Sequence, residues 1–180
     1  MADGSTDEAG PHADAVARGL AFLRGVIASG DAAFDGIWNV AFATQAVADQ
    51  SCGALVTFEG WIRNHNEGQQ VERLEYEVYR PVALKEGARI IDEAVERFGV
   101  SNALCIHREG LLELGEVAVL VCVSSPHRGE AFDACRYIID QAKTRLPIWK
   151  KEHYVSGVSE WVNCENCAAA GHSHGNTPHD

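Results

Sequence analysis

The sequence predicts an α+β protein in which a mainly antiparallel sheet carries helices on one side. Segments rich in β-forming residues, several with alternating apolar and polar positions, come in pairs along the chain, as strands of a hairpin do. Two longer segments with apolar residues three and four apart, typical of helices, separate those pairs. The resulting order, β-β-α-β-β-α-β, is that of an α+β fold rather than of a parallel α/β sheet.

The N-terminal part predicts one helix before the first strand pair. Residues 1–13 are small, polar and acidic, so we expect them to be disordered. A helix is predicted over residues 13–29, closed by Gly30. A strand at residues 37–42 and a short helical piece up to Gln50 should follow. The apolar stripe of the helix is Val16, Leu20, Leu23 and Ile27.

The central part predicts a hairpin and a long helix. Strands at residues 54–62 and 71–79 flank the polar loop RNHNEGQQ and should pair. A helix should start at Pro81 and stop at Gly99, because proline suits a first turn and glycine a C-terminus. Its apolar positions are Leu84, Ala88, Ile91, Val95 and Phe98.

The C-terminal part repeats this arrangement. Strands are predicted at residues 103–107 and 117–124, and a helix from about residue 128 to 143, with Pro147 preventing its continuation. Short strands at residues 149–155 and 160–162 complete the pattern. The inward positions of the helix are Phe132, Cys135, Ile139 and Ala142.

Composition limits the classes of function. With 180 residues, 46% of them hydrophobic, the chain has enough apolar material for one compact domain. A net charge of -11 argues against a nucleic-acid-binding protein, which needs a broad basic face. No segment has the apolar length of a membrane span, and we see no secretory signal. Four of the six cysteines stand singly in apolar surroundings, which favours a reduced, cytoplasmic protein.

The lysines are concentrated in one segment, KTRLPIWKK. Lys143, Lys150 and Lys151 lie there, and Lys85 is the fourth lysine of the chain. A solvated basic face explains such a run equally well. Alternatively, Lys143 and Lys150 converge on one ligand from a helix end and the next strand, where a lysine can transfer a proton or act as a nucleophile.

A second basic group is SSPHRG, where a strand should pass into a helix. A helix N-terminus attracts anions, so His127 and Arg128 there form a candidate phosphate or carboxylate site. The plainer alternative is that Ser125 caps the helix and His127 is only exposed. Arg63, at the end of a strand, gains interest only if it lies near these groups. The pair His107 and Arg108 is interpreted as sheet surface or an ion pair.

The C-terminal tail contains possible metal ligands. Cys164 and Cys167 form one C-x2-C pair, and His172, His174 and His179 follow. One such pair in a tail of small residues favours opportunistic metal binding, so we predict no required metal and no bound cofactor. Phosphate-binding loops, dinucleotide-binding glycine motifs and serine-hydrolase elbows are missing from the sequence.

Taken together, several ordered motifs resemble the large, catalytic subunit of molybdopterin synthase. They are GALVTFEGWIRNHNEG (53–68), LEYEVYRPVA (74–83), IHREGLLELGE (106–116), VSSPHRGEAFDACRYIIDQAKTRLPIWKKE (123–152) and Trp161. The resemblance covers residues 37–163. It implies an α/β-hammerhead fold and a central homodimer in a heterotetramer, with a small ubiquitin-like subunit at each end. That partner's C-terminal Gly-Gly thiocarboxylate would donate sulfur to cyclic pyranopterin monophosphate, forming the dithiolene of molybdopterin.

The resemblance also implies roles for individual residues. Lys143 corresponds to the lysine essential for turnover, and Lys150 to a second functional lysine. Arg63 would join the site, and His127 with Arg128 would form the anion-binding pair. Lys151 and Glu152 continue the matching segment and are predicted to contribute to substrate binding.

Three segments and two rival functions complete these expectations. We expect an N-terminal extension (1–36), the family-like domain (37–163) and a Cys/His-rich tail (164–180). One rival is a non-catalytic module that binds ubiquitin-like C-terminal tails, which would need no reactive lysine. The other is a metal-handling protein that uses the tail.

Overall fold

A computed structural model describes residues 26–28 and 40–162 of the chain. Within these residues, helices and mainly antiparallel strands form two sheets, which confirms the predicted α+β class. The helices are α1 (Val40–Ala46), α2 (Arg80–Phe98) and α3 (Arg128–Arg145). The strands are β1 (Val26–Ala28), β2 (Ala54–Trp61), β3 (His65–Asn66), β4 (Gln69–Val78), β5 (Asn102–Arg108), β6 (Gly110–Glu113), β7 (Val117–Ser125), β8 (Ile148–Tyr154) and β9 (Ser159–Val162).

The first sheet has the strand order β1-β5-β7-β2 and is antiparallel except for β1, which runs parallel to β5. Its central strands are buried on both faces, because helices cover both. The predicted one-sided arrangement is therefore wrong for this sheet: α2 and α3 pack on one face, and α1 packs on the other through Ala43 and Val47. The larger core includes Ile90, Ala94, Val121, Val123, Cys135 and Ile138.

The second sheet has the order β3-β4-β8-β9, with β6 also paired to β4. The predicted hairpin between residues 54–62 and 71–79 is wrong, because β2 pairs with β7 and β4 pairs with β8. The loop instead folds into a short hairpin of β3 with β4. Its two turn residues, Glu67 and Gly68, have φ values of 47° and 80°, the positive values that a two-residue hairpin turn favours. Strand β6 was not predicted.

Both long helices were predicted in place, and predicted inward positions such as Ile91, Cys135 and Ile139 are buried, but two large residues are not. In α2 the buried positions include Ala83 and Gly87, whereas the predicted Leu84 is 42% exposed. In α3 the buried positions include Ala131, whereas Phe132 is 60% exposed. Small residues allow a helix to approach the sheet closely. The prediction relied mainly on large apolar residues and therefore missed these small buried ones. Gly99, with a φ of 64°, ends α2 as predicted.

The N-terminal predictions are wrong for residues 26–28 and 40–42, whereas the short helical piece predicted before Gln50 is confirmed. Val26–Ala28, at the end of the predicted helix, is strand β1 paired with β5; the remainder of that helix lies outside the described residues. Residues 40–42, predicted as strand, belong to α1. Ala43 and Val47 are four residues apart and fully buried, so packing on the sheet selects the helix. None of the helices in the described ranges is long and apolar enough to cross a lipid bilayer.

Candidate active site

Lys143 stands at the edge of a cavity of about 140 Å³ between the two sheets and α3. The side chain is exposed and belongs to the last turn of α3, where the helix dipole favours a cation. Trp61, Tyr76 and Ile148 line the same cavity. The site therefore combines one ammonium group with largely aromatic and aliphatic walls.

His107 lines this cavity together with Lys143, so its interpretation as sheet surface or ion pair was wrong. Its Nδ1 lies 2.7 Å from the carbonyl oxygen of Arg108, and its ring meets Tyr76 edge-on at 4.9 Å. Burial, together with the charge of Lys143, lowers the pKa of His107 to about 4, although the bond to the Arg108 carbonyl opposes this shift. A neutral ring that donates from Nδ1 keeps Nε2 as an acceptor.

Arg108, by contrast, forms the ion pair that was expected. Its Nη1 lies 2.8 Å from Glu116 Oε1. The two neighbours differ because alternate residues of a strand point to opposite faces. Cys105 and His107 are two residues apart on β5, and Cys105 is in the core beneath α3. That alternation was the signal in the sequence that could have placed His107 towards the helix.

Lys150 belongs to a buried polar cluster on the inner face of β8. Its Nζ lies 2.7 Å from Glu152 Oε1, and the hydroxyl of Tyr154 donates to Glu152 Oε2 at 2.7 Å. Lys150 is 8% exposed and Glu152 only 1%. Burial raises the pKa of Glu152, but hydrogen bonds from Lys150, Tyr154 and Asn66 outweigh it, so the pKa of this carboxyl lies below its ordinary value.

The cluster extends to Arg63 through Asn66. Arg63 follows β2 and is exposed, and its Nη2 donates to Asn66 Oδ1 at 3.0 Å. Asn66 lies on β3, is 8% exposed, and helps to lower the pKa of the nearby Glu152. Sequence reasoning assigned nothing to Asn66. The fold thus brings Arg63 close to the pair of Glu152 and Lys150.

The cavity and this cluster are neighbours on the second sheet. Tyr76 of β4 is directly opposite Lys150 of β8, so their side chains share a face. Ile148 lies on that face of β8 too, two residues or about 7 Å before Lys150. Because Tyr76 and Ile148 also line the cavity with Lys143, the convergence predicted for Lys143 and Lys150 is compatible with the fold.

His127 and Arg128 lie at the other end of α3 from Lys143. Lys143 follows Arg128 by fifteen positions, which span about 22 Å at the rise of an α-helix. His127 is the N-cap residue, without a side-chain capping bond, and Ser125 is buried at the end of β7, so serine capping does not describe this turn. Within one chain this basic pair does not join the lysines.

Lys151 occupies the opposite face of β8 from Lys150. Its ammonium lies 5.5 Å from the centre of the Trp161 ring, which is its cross-strand neighbour on β9. Glu75 is its neighbour on β4. This cation–π contact gives Lys151 a partner on the outer surface, away from the face that carries Lys150.

The described residues contain no cluster of three or more His, Cys, Asp or Glu side chains arranged to hold a metal ion. The C-terminal cysteines and histidines lie outside those residues. Burial raises the pKa of the Cys105 and Cys122 thiols to about 12 and that of Cys135 to about 11. These thiols are protonated at neutral pH, which suits residues of a reduced core rather than nucleophiles.

Fold and site together define an α+β protein whose cationic, apolar-walled cavity suits an anionic organic ligand. A model of the family described as MoaE protein matches residues 36–145. The molybdopterin synthase catalytic subunit of Pyrococcus abyssi is 47% identical over 115 residues, which are 64% of this chain and 78% of that protein. The chain belongs to the MoaE protein family.

Solved structures agree with this assignment. The chain is similar to molybdopterin synthase from Staphylococcus aureus, with a TM-score of 0.69 and 36% identity over 77% of this chain and 96% of that one. It is also similar to the molybdopterin biosynthesis MoaE protein from Burkholderia ambifaria, with a TM-score of 0.62 and 32% identity over 81% and 95%. The family match contains Arg63, His127, Arg128 and Lys143 and stops before Lys150.

Proposed function

We propose that this chain is the catalytic subunit of a molybdopterin synthase. In this function it transfers sulfur from the thiocarboxylated C-terminus of a small ubiquitin-like subunit to cyclic pyranopterin monophosphate, making it a sulfurtransferase. One observation carries the proposal: in a member of this family, Lys143 lines a cavity that adjoins the Lys150–Glu152 pair. The cytoplasmic location remains a prediction.

The arginine and the lysine are assigned different roles because their side chains have different chemical properties. A guanidinium group binds oxyanions in a fork, so we assign Arg63 to the phosphate of the precursor. Lys143 is the proton-transfer or covalent-assist residue, because a lysine amine can change its protonation state and this one lies at the edge of the cavity. Negative charge accumulates there as carbon–oxygen bonds are replaced by carbon–sulfur bonds.

Lys150 is the electrostatic companion of Lys143 in this scheme. Its ammonium is held by Glu152 and does not have to be ordered when substrate binds. A preorganised charge stabilises developing negative charge better than one that must first be positioned. Glu152 then supports the site by fixing Lys150. Lys151 lies on the opposite face of β8 and has no part in this scheme, contrary to its predicted role in substrate binding.

His127 and Arg128 reach the ligand from a second copy of the chain in our proposal. The separation of about 22 Å along α3 argues against their action on the Lys143 cavity of the same chain. In the proposed homodimer each site would combine the lysines of one protomer with the basic pair of its partner. The division of the chain into segments 1–36, 37–163 and 164–180 stays a prediction.

Reconstitution tests the function. The purified chain is mixed with a thiocarboxylated small subunit and the pterin precursor, and dithiolene formation is measured. We expect turnover by the wild-type chain and none by Lys143→Ala, which should still fold and bind the small subunit. Near-normal turnover by Lys143→Ala would contradict the role of that lysine; binding without turnover by the wild type would favour the non-catalytic tail-binding module.

Mixing two inactive variants tests the shared site. When Lys143→Ala and Arg128→Ala homodimers exchange subunits, half of the dimers are mixed, and each mixed dimer has one site without a substitution. We expect recovery of about one quarter of the wild-type rate. If all site residues come from one chain, every site in the mixture carries a substitution and no activity returns.

A further inference from the structure

Asn66 occupies the central position of the buried polar cluster. Its Oδ1 accepts the hydrogen bond from Arg63 Nη2 at 3.0 Å. Its side chain is also close enough to the Glu152 carboxylate to help lower the pKa of that group. One side chain therefore lies between a cation and an anion.

The neighbours of Asn66 connect it to the second cation. Glu152 receives hydrogen bonds from the ammonium of Lys150 at 2.7 Å and from the hydroxyl of Tyr154 at 2.7 Å. Asn66 therefore holds Arg63 next to a buried ion pair that contains the second cation.

The backbone around Asn66 is suited to this task. Asn66 is paired with Gln69 across the short hairpin, and the two turn residues between them adopt the positive φ values that close it. Arg63, in contrast, is exposed and has many rotamers, whose restriction costs conformational entropy. A rigid, buried amide is an effective anchor for that flexible guanidinium.

We propose that Asn66 is a positioning residue that holds the Arg63 guanidinium at a set distance from Lys150 through Glu152. An anion bound by Arg63 then meets both cations in one orientation. The identification of that anion as the phosphate of the pterin precursor rests on the proposed function. The placement of Asn66 between Arg63 and Glu152 does not depend on that function.

Two variants and a matched control pair test this role. Asn66→Ala removes the hydrogen bond to Arg63 and the contact with Glu152. Asn66→Asp keeps an acceptor for Arg63 but turns a carboxylate towards Glu152, which breaks the second link at nearly constant size. Asn64→Ala and Asn64→Asp make the same changes at an exposed residue of the same loop.

Reconstituted sulfur transfer provides the first measurement. We expect both Asn66 variants to raise the KM for the precursor about tenfold or more, the effect of one or two lost charge-assisted bonds. The kcat should stay within about threefold, because Lys143 is untouched, and the Asn64 controls should behave as wild type. Unchanged KM in both Asn66 variants, with an active wild-type chain, overturns the proposal.

Nitrogen NMR of the Arg63 guanidinium provides the second measurement, without any turnover. We expect restricted rotation of the guanidinium in the wild type and averaged signals in Asn66→Ala. Equal signals in the two proteins overturn the anchoring role. A wild-type chain that is inactive but shows the NMR difference contradicts the proposed function alone.

Discussion

The Lys150 ammonium and the Glu152 carboxylate form a buried ion pair, with 2.7 Å between Nζ and Oε1. Few solvent molecules can replace either partner there, since the two residues are 8% and 1% exposed. Burial of a charge is costly unless its partner remains. The protein should therefore lose stability when one of the two charges is removed, and much less when both are removed.

Lys150→Met should lower the free energy of unfolding by roughly 3–5 kcal/mol, because it leaves the Glu152 carboxylate buried without its cation. The double variant Lys150→Met with Glu152→Met should recover much of that loss. Urea unfolding measures both. Lys151→Met, which removes only a partly exposed cation–π contact, is the control and should cost less than about 1 kcal/mol. A double variant as unstable as the single one would contradict the buried-pair interpretation.

Acidification should destabilise the protein through His107. The unfolded chain takes up a proton near the ordinary pKa of 6.5, whereas the folded protein does so only near 4. The contribution of His107 to the free energy of unfolding is thus fully present above about pH 6.5. It is lost as the pH drops towards 4, by up to roughly 3 kcal/mol. Unfolding by urea at several pH values measures the effect. His107→Gln should be less pH-dependent between pH 6.5 and 5, and an identical slope in both proteins would refute the assignment.

Arg145 should contribute to stability by joining α2 to α3. Its Nε donates to Glu86 at 2.8 Å and its Nη2 to Glu93 at 2.9 Å. The bond from Arg145, with one from Tyr137, lowers the pKa of Glu93 to about 2. Because the network is partly exposed, Arg145→Met should cost about 2 kcal/mol rather than the full value of a buried pair.

The free energy of unfolding in urea measures the cost of Arg145→Met, and Arg136→Met is its matched control. Arg136 lies on the same helix and reaches Asp140 at 3.6 Å, but both side chains are largely exposed. Its removal should change the free energy of unfolding by no more than about 0.5 kcal/mol. Equal costs for the two arginines would show that the bonds across the helices add nothing.

Gly60 should not tolerate a side chain. A Cβ atom there would lie 2.5 Å from Cγ1 of Val119, in the wall of the cavity. Gly60→Ala should therefore destabilise the protein by about 1–3 kcal/mol. Gly129→Ala is the contrast: nothing lies within 4 Å of its Cβ, and alanine favours helix, so stability should stay equal or rise by up to about 1 kcal/mol. Thermal unfolding of the two variants measures the difference.

Local patterns were sufficient for the elements of the second half of the chain. The helix that Pro81 and Gly99 delimit and the strands around residues 103–107 and 117–124 were predicted within a few residues. These signals are local, because caps, alternation and helical spacing depend on neighbours in sequence. The N-terminal elements failed for the opposite reason. Val26–Ala28 is a strand because β5 offers an edge, and no local pattern records that edge.

The site was predicted from sequence only in its charged residues. Lys143 and Lys150 stood out because lysine is scarce elsewhere in this acidic chain, whereas Arg63 was assigned to the site only by the family resemblance. Asn66 and Tyr76 did not, since a polar loop residue and a strand tyrosine carry no distinct local signal. Their importance arises from burial and from contacts with residues far away in the chain.

By itself, then, the sequence determined the fold class, the family and the chemical character of the site, because composition, spacing and ordered motifs are properties of neighbouring residues. Only the tertiary structure decided which groups meet. It brought Arg63 and Asn66 next to the Lys150–Glu152 pair and placed His107 beside Lys143. Strand pairing sets those distances, and it depends on contacts between residues that are distant in sequence.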